Sequence, residues 1–119
     1  MRKLSLVLFF SVLFGAITVI SVFATPPPNG RYYATGNAGE ASVMIHFVPA
    51  RQLWEVNVID RNGNRVGSYE TSDYTDRGSE GTYFIRFGGI VLRYSHTNGF
   101  LEVNSGNLPA GVGSRFRLR

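Results

Sequence analysis

The chain has 119 residues, 44% of them apolar, no cysteine and a formal charge of +4. A disulfide scaffold is excluded, and a body this aromatic and β-branched does not read as disordered. Of the first 24 residues 17 are apolar, which leaves 95 residues for one domain with a single core.

Residues 1–24 read as a secretory signal peptide. Arg2 and Lys3 give the positive start, an uncharged apolar run follows from Leu4 to Ile20, and Ala24 supplies the small residue at the cut. The alternative is an uncleaved N-terminal anchor, since 21 residues suffice to span a bilayer. The expected location is therefore secreted or periplasmic, with no membrane span after cleavage. Residues 25–30 are an extended proline-rich linker, and residues 31–119 form one domain. After cleavage ten arginines face eight carboxylates, a charge of +2, and no lysine remains.

The domain reads as strands throughout, because two-residue alternation runs between glycine-rich turns. A loop over 37–40 sets Tyr32 opposite Ile45 and Ala34 opposite Val43. A four-residue loop at 49–52 sets Phe47 opposite Trp54, Ile45 opposite Val56 and Val43 opposite Val58. On the outer side His46 meets Glu55, with Arg31 one strand further, and Met44 meets Asn57. At 60–64 a loop with a left-handed Gly63 sets Val66 opposite Val58. It is preferred because a tighter turn would oppose Glu55 and Glu70. Residues 72–74 give a short strand and 76–81 a loop.

Gly88-Gly89 is a two-residue hairpin turn that pairs Phe87 with Ile90, Ile85 with Leu92 and Tyr83 with Tyr94. Phe84 then lies opposite Arg93, and Arg86 opposite Val91. Asn98-Gly99 is read as the next two-residue turn, with His96 opposite Leu101 and Tyr94 opposite Val103. Residues 112–118 form the last strand, on which Val112, Ser114, Phe116 and Leu118 alternate with Arg115, Arg117 and Arg119.

The expected fold is all-β. About eight antiparallel strands form an up-and-down meander closed into a small barrel, with 112–118 pairing near 31–36. A β-sandwich is the alternative. The shape is of the lipocalin kind, with none of that family's sequence signatures, and shape alone carries no function. A transmembrane barrel is disfavoured by short strands whose outer faces carry Glu55, Arg86, Arg93, Glu102, Arg115 and Arg117.

The chemistry-bearing residues are sparse. His46 and His96 fall on opposite faces, so no zinc site is expected. The carboxylates between Asp60 and Glu80 lack the spacing of a calcium loop. No cofactor and no catalytic residue is expected, His96 beside Tyr94 being the one constellation that acid–base chemistry would use, in a hydrolase or isomerase.

Two readings of function remain. Tyr32, Phe47, Trp54, Tyr83, Phe87, Tyr94 and Phe116 all point inward. In the first reading a small apolar or aromatic ligand is held in the barrel by Tyr32, Trp54, Tyr83, Tyr94 and His96. In the second, an interaction or inhibitor protein acts through an outer face with Arg86, Arg93, Arg115 and Arg117, and through the 73–81 loop. Its partner would be an acidic protein, a glycan or a lipid headgroup, classes that an export signal favours over nucleic acid. An ordinary solvated face, with Arg93 stacked on Phe84, is the plainer account of the same arginines.

Overall fold

A computed structural model describes residues 26–36 and 40–119. The signal peptide expected over residues 1–24 lies outside the described residues, and among these no helix is long and apolar enough to cross a membrane.

Nine strands follow one another: β1 (Gly30–Ala34), β2 (Ser42–Val48), β3 (Leu53–Ile59), β4 (Arg65–Thr71), β5 (Tyr74–Arg77), β6 (Thr82–Phe87), β7 (Ile90–Ser95), β8 (Phe100–Ser105) and β9 (Arg115–Leu118). They form one antiparallel sheet in the order β4-β3-β2-β1-β9-β8-β7-β6-β5. Eight successive antiparallel steps leave β4 and β5 running the same way, with only Ser72 and Asp73 between them. They are two halves of one bent strand, the first pairing β3 and the second pairing β6. The expected eight strands are thus present, with one of them broken at a corner. The Arg86 amide donates to the Asp73 carbonyl at 2.9 Å and the Thr71 hydroxyl to the Arg86 carbonyl at 2.6 Å, so the corner is tied to β6. The sheet is a nearly closed barrel, and closure leaves little free edge.

The expected closure is present, with Ala34 opposite Phe116 and Tyr32 opposite Leu118. The β2–β3 pairing is as read, Phe47 opposite Trp54 and His46 opposite Glu55. So is the β6–β7 hairpin, whose Gly88 and Gly89 take φ of 50° and 78°.

Three registers differ from expectation. Tyr32 lies opposite Val43, not Ile45, and the Ala34 amide reaches the Ala41 carbonyl, because the β1–β2 connection is two residues longer. Arg31 therefore meets Met44, and the Arg31–His46–Glu55 row does not form. Tyr94 lies opposite Leu101, not Val103, because the Gly99 amide donates to the Ser95 carbonyl and Asn98 Oδ1 accepts from the Phe100 amide. Asn98-Gly99 thus closes a four-residue loop, and His96 is an exposed loop residue. In β4, Val58 lies opposite Gly67 and a bulge follows, which brings Glu55 opposite Glu70 after all. The like charges are tolerated in solvent, where Arg51 ion-pairs Glu70 at 3.1 Å.

Two bounds also move. The short strand is Tyr74–Arg77, followed by a 3-10 turn at Gly78–Glu80. The last strand begins only at Arg115, while Val112 is buried in the preceding loop.

One mouth of the barrel gathers residues 26–29, the loops at 49–52, 78–81 and 96–99, and Arg119. The opposite mouth gathers the loops at 60–64 and 106–114 and the Gly88-Gly89 turn. Leu108 and Val112 are buried there, and the 3-10 turn Pro109–Gly111 packs Pro109 near Gly67. Gly106 is required at this mouth. Its φ is 79°, and a Cβ would sit 2.5 Å from the Gly89 carbonyl oxygen. Gly106→Ala is expected to cost at least about 1–3 kcal/mol, and a Tm drop of some 5 °C or more in a thermal melt checks it.

Candidate functional site

Inside the barrel the alternation places the rings as read. Tyr32, Trp54 and Phe116 are fully buried, and Tyr83, Phe87 and Tyr94 nearly so. Phe47 is half-buried against them. Four of the five residues expected to line a ligand site, Tyr32, Trp54, Tyr83 and Tyr94, belong to one core beneath the first mouth. Three of them, Tyr32, Trp54 and Tyr83, find hydrogen-bond partners in each other and in the chain. Trp54 Nε1 donates to the Tyr83 hydroxyl at 3.1 Å, and Tyr32 donates to the Pro28 carbonyl at 2.7 Å. Trp54 lies 5.2 Å from Phe47 and 5.9 Å from Tyr83, centroid to centroid, and Tyr74 stacks on Tyr83 at 5.9 Å. Tyr32 meets Tyr94 edge-on at 6.2 Å. Side chains fill this part of the interior.

His96 follows β7 in the 96–99 loop at the first mouth, exposed, with its ring edge-on to Tyr94 at 5.0 Å.

Burial raises the Tyr32 phenol well above its ordinary range, and the neighbouring Tyr94 adds to the effect. Burial also raises Tyr83, against the lowering hydrogen bond from Trp54. Both groups hold their protons more tightly folded than unfolded. Their contribution to stability is complete below the unfolded value of 10.0 and is lost as pH rises through the folded values. Urea unfolding followed from pH 8 to pH 11 is expected to show stability falling above about pH 10, with a shallower fall in Tyr32→Phe.

The outer face carries the second candidate. Strand alternation aims Arg115 and Arg117 outward from β9, and the exposed Arg119 follows the strand's end. Register then builds two cross-strand rows. Phe84, Arg93, Glu102 and Arg115 lie side by side across β6, β7, β8 and β9. Phe100, Arg117 and Tyr33 lie side by side across β8, β9 and β1. Each aromatic of these rows serves two guanidinium groups. Arg115 and Arg117 lie over Phe100 at 5.0 and 5.4 Å. Arg119 and Arg31 lie over Tyr33 at 4.2 and 5.2 Å. Arg86 and Arg77 lie over Phe84 at 5.7 and 5.9 Å, so those two arginines take the ring contacts expected of Arg93.

Seven of the ten arginines after residue 24 therefore lie on the outer surface from β5 round to β1, six of them over these three rings. Three of the seven have carboxylate partners: Arg86 with Asp73, Arg77 with Glu80 and Arg115 with Glu102. Among the described residues no ion pair involves Arg31, Arg93, Arg117 or Arg119. Arg93 also buries its Nε with no hydrogen-bond partner among the described residues. Stacking holds a guanidinium by its face and leaves its N–H edge free for an oxyanion.

Of the expected surface residues, the rows join Arg93, Arg115 and Arg117, while Arg86 is turned toward Asp73 and Thr75. The sequence reading missed Arg31 and Tyr33. Arg31 had been set in a row with His46 by the two-residue register error. The only signal that could have found it was the Arg-x-Tyr alternation of β1.

A further open cleft of about 750 Å³ lies where the bent strand leaves β6. Tyr69, Thr71, Asp73, Arg86, Phe87 and the Gly88-Gly89 turn line it. Tyr69 and Phe87 meet at its floor, 4.6 Å apart.

Comparison of the chain with family models, with curated proteins and with solved structures yields no match.

Proposed function

We propose that this is an exported binding protein, not an enzyme, whose arginine face takes a linear polyanion. The observation that carries the reading is the pairing of two guanidinium groups on each of Tyr33 and Phe100, where among the described residues only Arg115 of the four has a carboxylate partner. Such an arrangement costs repulsion between like charges. An incoming anion relieves that repulsion and finds the donors already oriented, so less ordering entropy is lost on binding. Arg115 and Arg117 stand about 7 Å apart along β9 and Arg119 follows at its end, a line suited to a chain of sulfates or carboxylates. An acidic glycan is the favoured class. A flat anionic bilayer would meet only a narrow strip of a convex barrel, and an acidic protein would need its own complementary shape.

The test is retention on immobilised dextran sulfate and on neutral dextran. The reading expects retention on the sulfated matrix at low salt, release as salt rises, and none on neutral dextran. Equal behaviour on both would remove it. Retention by anionic vesicles but not by dextran sulfate would transfer the face to a lipid partner.

The reading of a small apolar ligand inside the barrel keeps one observation in its favour: Tyr32, Trp54, Tyr83 and Tyr94 converge beneath a single mouth. Native mass spectrometry of protein taken from its own source tests it. A retained mass of a few hundred daltons, lost in a Trp54 variant, would favour it over the arginine face.

A further inference from the structure

Residues 26–29 do not hang free. Pro27 is buried, although it precedes the first strand. The Pro28 carbonyl accepts the Tyr32 hydroxyl at 2.7 Å. Asn29 Oδ1 accepts the Phe47 amide at 2.9 Å. This amide has no β1 residue opposite it, because the β1–β2 ladder ends at Gly30 and Ile45. Both donors come from the barrel and both acceptors from the segment. Pro26 and Pro27 each precede a proline, which biases both toward an extended backbone. Prolines lack amide donors, so such a segment offers carbonyls and flat rings, and aromatic surfaces with a hydroxyl donor are what recognise it. The first mouth supplies the hydroxyl donor, from Tyr32, with Tyr94 edge-on to that ring and the half-buried Phe47 ring packed against Trp54.

We propose that the first mouth is a binding site for extended, proline-containing peptide segments, and that residues 26–29 fill it in cis. The inference uses none of the arginine face. A short tether gives the cis segment an effective concentration of the order of millimolar, so a peptide in trans competes only when the cis segment is weakened.

The experiment uses the full chain in non-ionic detergent. The probe is a labelled peptide, Thr-Pro-Pro-Pro-Asn-Gly, identical to residues 25–30. Two variants weaken the cis segment and leave the mouth intact. One replaces all three prolines, Pro26→Gly, Pro27→Gly and Pro28→Gly. The other is Asn29→Ala, which removes a single acceptor at an exposed position. Both variants should bind the peptide at least about tenfold more tightly than the unaltered chain. Both should exchange the Phe47 amide hydrogen about tenfold faster, and the peptide should reverse that change. A glycine-only peptide should do neither. The proposal is overturned if folded Asn29→Ala binds the peptide no better than the unaltered chain, or if the glycine peptide binds equally. Should the triple variant not fold, Asn29→Ala decides alone.

Discussion

Replacing Trp54 with alanine is expected to cost about 3–5 kcal/mol, the range for removing a buried Trp side chain. Trp54 is the largest fully buried residue and joins both halves of the barrel. Its strand, β3, lies next to β4 at one end of the sheet order, while Tyr83, which accepts its N–H, stands on β6 next to β5 at the other. Alanine removes the ring contacts with Phe47 and Tyr83 and leaves a nearly buried phenol without its donor. Small domains hold only about 5–15 kcal/mol in total, so the variant should unfold at a markedly lower urea concentration. Circular dichroism must follow it, since the chain has one tryptophan. Trp54→Phe keeps one ring and loses the N–H and part of the buried indole volume, so it should fall between alanine and the unaltered chain. If alanine cost less than about 1 kcal/mol, the interior would not be held by this cluster.

The second large effect is on binding. Arg115→Gln, Arg117→Gln and Arg119→Gln together should weaken dextran sulfate binding by about 100-fold at low salt. The estimate takes about 1 kcal/mol per arginine near a polyanionic surface and 1.4 kcal/mol per factor of ten. Stability should change by under about 1 kcal/mol, because the one ion pair lost, Arg115 with Glu102, is long at 3.5 Å and its arginine is exposed. The control is Arg51→Gln, Arg61→Gln and Arg65→Gln, which removes the same charge outside the two rows. A purely net-charge effect would make the two triples equal, whereas an organised face makes the first much worse.

The inward face was legible because two-residue slips do not change it. Tyr32 slid from Ile45 to Val43, and Tyr94 from Val103 to Leu101, yet all four partners are inward residues. A period of two fixes the face and leaves even-numbered register errors invisible. The outer rows were less legible for the same reason. Moving Arg31 by two residues took it from His46 to Met44, and the Tyr33 cluster appears only in the correct register. Asn98-Gly99 misled because a strong two-residue turn signal sits inside a loop closed by Ser95 and Gly99. Glu55 and Glu70 misled because repulsion in solvent is small beside the cost of misplacing Tyr69, which the bulge keeps against the core. The bent strand was missed altogether. Nothing in Ser72-Asp73 marks a change of partner rather than a turn, and the corner is held by Arg86, thirteen residues further on.

Amide and arginine side-chain chemical shifts, recorded while dextran sulfate is added, test the central claim most directly. The account predicts shifts confined to Arg31, Tyr33, Phe100, Arg115, Arg117 and Arg119 and their neighbours, with the Trp54 indole signal unmoved. Shifts centred on Trp54, Tyr83 and Tyr94, or spread over β2 and β3, would place the function elsewhere and contradict it.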